Sequence, residues 1–206
     1  MAGGRLITIE GLDGAGKTTL AASLHEAIRS RGIDACLLRE PGGVRAAERI
    51  RELVKDPDAQ IGPRAEALLY AAARAQLVEE AVAPLLASGS WVLLDRFVDS
   101  SLAYQGAGRG LGIDRVQAIN DFATGGLVPD RTLMLTIDPA LGRERSRARA
   151  QPLDRLEREQ DQFFARIAVA YAELAAAEPD RIRTIDGGQT PELVLAAALG
   201  AIGDLL

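Results

Sequence analysis

The sequence predicts an α/β fold: a five-stranded parallel sheet with helices on both faces and a short mobile lid. Three observations point there. Apolar runs of four to six residues alternate along the chain with helical stretches. Strands that read as unbroken apolar runs are buried on both faces, which requires parallel pairing with crossover helices. One polar, arginine-rich stretch, from Arg143 to about Arg155, breaks the rhythm and is the candidate lid. Right-handed crossovers make the sheet doubly wound. In such sheets ligands gather at the carboxyl ends of the strands.

The elements follow in order. "RLITIE" reads as the first strand, and "TTLAASLHEAIRSRG" as a helix stopped by Gly32. "IDACLLRE" is a second strand, closed by the turn "PGG", and "VRAAERIRELVKD" is a helix. "RAEALLYAAARAQLVEEAVAPLLASG" reads as one long helix that Pro84 bends or breaks, since proline offers no N–H to the turn before it. "SWVLLDRF" is a third strand, "GIDRVQAINDFATGG" a helix and "RTLMLTID" a fourth strand. The region 139–180 is helical on both flanks of its polar middle. "RIRTIDGG" is the fifth strand, and the chain closes on the helix "TPELVLAAALGAIGDLL". All 206 residues read as a single domain carrying the lid.

Composition narrows the function. Net charge is −5, a poor basis for nucleic-acid binding, so no nucleic-acid partner is expected. Lys17 and Lys55 are the only lysines. A lone cysteine, Cys36 in "ACLL", excludes an internal disulfide or a cysteine metal cluster and reads as a core residue. A lone histidine, His25, argues against a histidine-based zinc site. Neither a signal segment nor a run of 18 apolar residues is seen, so no membrane partner and a cytoplasmic location are expected.

The residues after the strands carry the chemistry. Gly11 to Thr18 spell G-x-x-x-x-G-K-[ST] between a strand and a helix, a phosphate-binding loop (P-loop). Glycines 11, 14 and 16 allow the tight turn that aims backbone N–H groups at phosphate, and the helix adds its positive end. Lys17 reaches the β- and γ-phosphates, and the Thr18 hydroxyl is a Mg²⁺ ligand. The fold is therefore of the P-loop NTPase kind. Asp95, at the end of "WVLLD", is placed to help hold Mg²⁺, directly or through water, and Arg96 puts a guanidinium fork at the same tip. Arg39 in "LLREPGG" is another cation at this edge. In the lid, Arg143, Arg145, Arg147 and Arg149 would spread over two helix faces, either as a solvated surface or as cations that close over phosphates.

Taken together, "EGLDGAGKTT", "REPGG", "YAAARAQL", "DRF…SSLAYQG" and "RARAQPLDRLE" resemble bacterial thymidylate kinases over nearly the whole chain. The resemblance implies phosphoryl transfer from Mg-ATP to dTMP, usually by a homodimer. It implies that Gly11, Leu12, Asp13, Gly14, Ala15, Gly16, Lys17, Thr18 and Thr19, with Arg145 and Arg149, hold ATP. It places Asp13 by the deoxyribose 3′-hydroxyl and near the metal, and gives the dTMP phosphate to Arg39 and Arg96. Tyr70 would stack on thymine and Arg74 hydrogen-bond it; the two lie four residues apart, on one helix face. Ser101 and Gln105 would line the base and sugar, and Tyr104 the place where a 2′-hydroxyl would project. The catalytic set is then Lys17, Arg96, Arg149, Arg147 and Asp13. Some relatives carry an arginine where this chain has Gly14, so the extra cation must come from the lid. The lid is about one residue longer around Gln151-Pro152 than in the form compared, which leaves open which arginine is catalytic; Arg149 is favoured, then Arg147.

The chemistry of the acceptor agrees. A nucleoside monophosphate has a second pKa of about 6 and is mostly a dianion at neutral pH. It needs cations to approach ATP, not a general base. Two other readings remain: a kinase for a different monophosphate or a deoxynucleoside, and a P-loop switch or partitioning ATPase. The absence of "NKxD" argues against a GTPase switch.

Overall fold

The five apolar runs become β1 (Leu6–Gly11), β2 (Ala35–Arg39), β3 (Trp91–Asp95), β4 (Arg131–Thr136) and β5 (Ile182–Asp186). The structure is a computed structural model and describes residues 3–148 and 154–206. Within them the strands form one all-parallel sheet in the order β2-β3-β1-β4-β5. β1 is central, with Leu6 opposite Val92 on one side and Ile7 opposite Arg131 on the other.

The connecting helices are α1 (Lys17–Arg29), α2 (Arg45–Lys55), α3 (Pro63–Leu77), α4 (Ala83–Ala87), α5 (Val98–Ser101), α6 (Ile113–Thr124), α7 (Pro139–Arg147), α8 (Asp161–Ala177) and α9 (Pro191–Ala201). Strand alternation sorts them onto two faces. Ile7 and Ile9 meet α1 and α9 in a core with Leu24, Ile28, Leu133, Val194 and Ala198. Leu6 faces the other way, against Leu77, Val82, Val92, Leu94 and Phe97. On that same face Tyr104, Met134, Phe163, Ile167 and Tyr171 form a second cluster under α8. Each fully buried aliphatic or aromatic side chain contributes roughly 1.5–3 kcal/mol relative to exposure.

The long helix after Gly62 breaks before Pro84, one of the two outcomes the proline allows: α3 passes into a π-helical turn, Val78–Val82, and then α4. Pro84 explains it, because the ring excludes the N–H and crowds the carbonyl four residues back, and a wider turn relieves both. Cys36 is half-buried rather than core, because β2 is an edge strand. Residues 98–111 show no clear periodicity in the sequence. Here α5 continues as a π-helical segment, Leu102–Gly108, that turns Ser101, Tyr104 and Gln105 inward. Of the expected lid, α7 covers its start. Arg149 and Gln151-Pro152 lie outside the described residues, as does the side chain of Arg147.

Candidate active site

Gly11 to Thr18 join β1 to α1 at the carboxyl edge of the sheet. α1 has neither a capping side chain nor an acid in its first turn. Its first N–H groups and positive end are therefore free for an anion. Leu12 and Ala15 are buried, so what they offer the loop is backbone. Gly14 has φ 82°, and a Cβ there would overlap the carbonyl oxygen of Gly142 in α7. A Cβ on Gly142 would in turn lie 2.8 Å from the Asp13 carbonyl oxygen. Loop and α7 thus meet backbone to backbone, with no room for a side chain at position 14.

Lys17 is buried, and its Nζ donates to the Leu12 carbonyl at 2.8 Å, with Asp13 Oδ1 at 3.9 Å. Burial, helped by Arg96, lowers its pKa to about 8. Thr18 Oγ1 donates to Asp95 Oδ2 at 2.7 Å. A hydroxyl and a carboxylate beside a phosphate loop are hard oxygen donors, and Mg²⁺ takes only one or two protein oxygens while keeping waters. The pair fits the ion. Thr19 lines the same opening.

Arg96 is the one non-glycine residue at positive φ, 74°, among those described. That region costs an L-residue about 1–2 kcal/mol. The conformation turns the guanidinium back over the loop. Nη1 donates to the Gly11 carbonyl at 3.2 Å and Ser100 Oγ at 3.0 Å, and Nη2 to Asp13 Oδ1 at 2.6 Å. The group also lies over the Tyr104 ring, 5.1 Å from its centroid, and the Tyr104 hydroxyl donates to Asp13 Oδ2 at 3.0 Å. Burial alone would raise the Asp13 carboxyl, but Arg96 and Lys17 outweigh it and hold the group well below the usual carboxylate range.

These residues form one end of a cleft of about 590 Å³. Its other walls include Arg39, Glu40, Tyr70, Ser101, Tyr104 and Gln105. Arg39 is exposed and pairs with Glu48 at 3.1 Å. Tyr70 is half-buried, and burial, then Glu66, push its hydroxyl above its usual range. Gln105 Nε2 donates to Glu66 Oε1 at 2.9 Å. The structure therefore brings Asp13 and the Gly16–Thr19 end of the loop, Asp95, Arg96, Arg39, Tyr70, Ser101, Tyr104 and Gln105 to one cleft.

Two predicted residues stand elsewhere. Arg74 is 1% exposed and is not part of the cleft wall. It donates from Nε to Glu40 Oε2 at 2.8 Å, from Nη1 to Ser101 Oγ at 2.9 Å and to Asn120 Oδ1, and from Nη2 to the Phe97 carbonyl at 2.8 Å. It is a buried cation that braces two cleft residues, Glu40 and Ser101, rather than a surface one. Arg145 turns to the loop after β5, donating to the carbonyls of Gly187 at 2.9 Å and Gly188 at 3.4 Å.

Three features of the site carry little or no local sequence signal. Arg51 and Lys55 line the cleft from α2, and their i,i+4 spacing was the available signal. Glu66 is fully buried and takes Arg109 at 3.0 Å and Arg155 at 2.6 Å, a contact between distant segments that no local pattern announces. Among the described residues, each acid lining the cleft has a partner on at least one oxygen: Asp13 with Arg96, Glu40 with Arg74, Asp95 with Thr18, Asp154 with Lys55 and Glu157 with Ser146, while the other Glu40 oxygen, Oε1, is buried with none.

Known proteins bear on this arrangement. The thymidylate kinase family profile matches residues 9–198. A thymidylate kinase of Deinococcus radiodurans is 47% identical over 201 residues, covering 98% of this chain and 97% of that protein. The thymidylate kinase of Alkalilimnicola ehrlichii is 46% identical over 198 residues, 96% of this chain and 91% of its own, and that of Lactobacillus delbrueckii subsp. bulgaricus 47% over 199 residues, 95% and 94%. A profile match from the first strand to the last helix, with nearly half the residues shared along almost the full length, means that the chain belongs to the thymidylate kinase family.

Proposed function

We propose that this enzyme transfers the γ-phosphoryl group of Mg-ATP to the phosphate of dTMP, giving dTDP and ADP, with no general base. One observation carries the reading. A single cleft has a phosphate loop at one end and the cations Arg39, Arg51, Lys55 and Arg96 around it. A dianionic acceptor needs no proton removed, and bringing it to ATP is a matter of charge and position.

The loop backbone and Lys17 hold the donor phosphates. Thr18 and Asp95 would hold Mg²⁺, which would supply positive charge against the donor phosphates. Arg96 and Arg39 receive the acceptor phosphate, Asp13 and Tyr104 the deoxyribose, and Tyr70, Ser101 and Gln105 the thymine. Arg74 acts on the base side, and the Ser101 and Glu40 contacts support its influence there. Arg149, then Arg147, supplies the lid cation. One contact supports that form: α7 is seated on the loop with the Gly142 carbonyl against Gly14, which leaves no space for an arginine at position 14. The cytoplasm, where ATP is made and used, is the compartment this reaction calls for.

The active form is a homodimer. Leu53 on α2, Leu68 on α3 and Phe122 on α6 are exposed large apolar residues, Phe122 to 93%, and these helices pack side by side.

ADP release assayed with dTMP, dUMP, dCMP, dGMP and thymidine tests the reading. dTMP should have the highest kcat/KM. A preference for thymidine or for another monophosphate would replace this assignment.

A further inference from the structure

Glu10 is a fully buried carboxylate on the central strand, on the same face as Leu6. It does not line the cleft. Such a position suits a branched aliphatic residue, and a carboxylate there is unfavourable unless its oxygens are satisfied. Both oxygens are. Oε1 accepts from the backbone N–H groups of Phe97 at 2.7 Å and Ser100 at 3.2 Å. Oε2 accepts from Ser100 Oγ at 2.5 Å, with the Tyr171 hydroxyl at 3.4 Å. Glu10 thus caps α5, which has no capping side chain in its own sequence.

Two consequences converge on Arg96. The first concerns its backbone. Arg96 sits in the left-handed region, and the peptides on both sides of it are pinned: its own N–H donates to the Ile9 carbonyl at 3.0 Å, and the next N–H, of Phe97, donates to Glu10. The second concerns its side chain. Ser100 has a single hydroxyl proton. With that proton directed to Glu10, the Oγ lone pairs face Arg96 Nη1, 3.0 Å away. A neutral amide in place of the carboxylate would put an N–H against Ser100 and remove that preference.

We propose that Glu10 is a positioning residue: acting through Ser100 and the Arg96 peptide, it holds the Arg96 guanidinium where the acceptor phosphate is received. The inference rests on the reading of Arg96 as a ligand of that phosphate. Glu10 itself touches no substrate.

Steady-state kinetics of Glu10→Gln, Ser100→Ala and Arg96→Ala, and of Glu10→Gln combined with Arg96→Ala, test it. Glutamine keeps the volume and an oxygen for the two backbone N–H groups. KM for dTMP should rise about tenfold or more in Glu10→Gln and in Ser100→Ala, the scale of a disturbed charged hydrogen bond, while KM for ATP stays within about twofold. Adding Glu10→Gln to Arg96→Ala should raise KM for dTMP no further, because the two act through one group. Equal rises for both substrates, an unchanged dTMP KM in Glu10→Gln, or effects that multiply in the double variant overturn the proposal. If Arg96→Ala leaves the dTMP KM unchanged, the assignment of Arg96 falls first and this inference with it. Should Glu10→Gln fail to fold, Glu10→Asp takes its place: the charge stays but the reach to Ser100 shortens, so the dTMP KM should rise while the ATP KM holds, and an unchanged dTMP KM overturns the proposal.

Discussion

Arg96 Nη2 lies 2.6 Å from Asp13 Oδ1, so the tip of β3 and the phosphate loop are joined by an ion pair at the end of the cleft. On the proposed reading both charges meet dTMP, and here they hold each other. Asp13→Asn removes the anion and leaves Arg96 and Lys17 facing each other. We expect KM for dTMP to rise about tenfold or more and KM for ATP to change by no more than about threefold. A larger effect on ATP would move Asp13 to the donor side. Because Asp13 is held ionised below the usual carboxylate range, it adds no limb to the rate profile between pH 5 and 9.

Lys17 supplies a second test. Burial and then Arg96 bring its pKa down to about 8 in the free enzyme. Phosphate anions favour the charged ammonium, so ATP binding must raise that pKa. Binding at about pH 8.5 should therefore take up a fraction of a proton. Calorimetry in buffers of different ionisation enthalpy measures it, and Lys17→Ala should abolish the uptake. Proton release, or none, would contradict the burial of this ammonium.

Arg74 and Glu40 form a buried pair at 2.6 Å. Removing one partner of such a pair strands the other and costs about 3–5 kcal/mol. Arg74→Ala should lose stability on that scale in urea denaturation. It should also raise KM for dTMP, through Ser101 and Glu40, while sparing ATP. An unchanged KM would confine Arg74 to the scaffold.

Glu10 predicts a pH signature. Burial, with Asp99 adding to it, raises the carboxyl from 4.5 to about 7, against Ser100, Arg96 and Phe97, which favour the ionised form. A raised folded pKa means the folded state binds more protons than the unfolded one between these values. The contribution is fully present below about pH 4.5 and is lost as pH rises through about 7, on the order of 1–3 kcal/mol. The stability of the wild type relative to Glu10→Gln should fall across that window. A flat difference would show that Glu10 is ionised throughout.

The dimer reading is tested at its most exposed aromatic residue. Phe122→Asp should shift sedimentation toward monomer at micromolar concentration, and Leu68→Asp should act in the same direction. A wild type that is monomeric there would reject the dimer.

The architecture was legible because both signals behind it are local. Unbroken apolar runs mark doubly buried strands, and the loop motif needs only its flanking strand and helix. Asp95, Arg96 and Arg39 were legible for the same reason, since strand ends in a parallel sheet gather at one edge. Glu10 was not: on a strand, a carboxylate beside a phosphate loop reads as part of the motif, and its partners lie 87 to 90 residues away. Arg74 was legible as a helix-face cation, yet its burial depends on Glu40, Ser101, Asn120 and Phe97, which come from three other segments. The break before Pro84 was foreseen, but its form as a π-helical turn was not, because relief of a proline clash depends on how the flanking turns are packed.

Glycine would occupy the left-handed backbone at position 96 without strain, and asparagine with little. Neither could replace the guanidinium that meets Asp13, Ser100 and the Gly11 carbonyl. The about 1–2 kcal/mol held in that backbone is smaller than the cost of stranding Asp13, so relieving the strain with Arg96→Gly should lower stability, not raise it. The strained turn is kept by the ion pair that it positions.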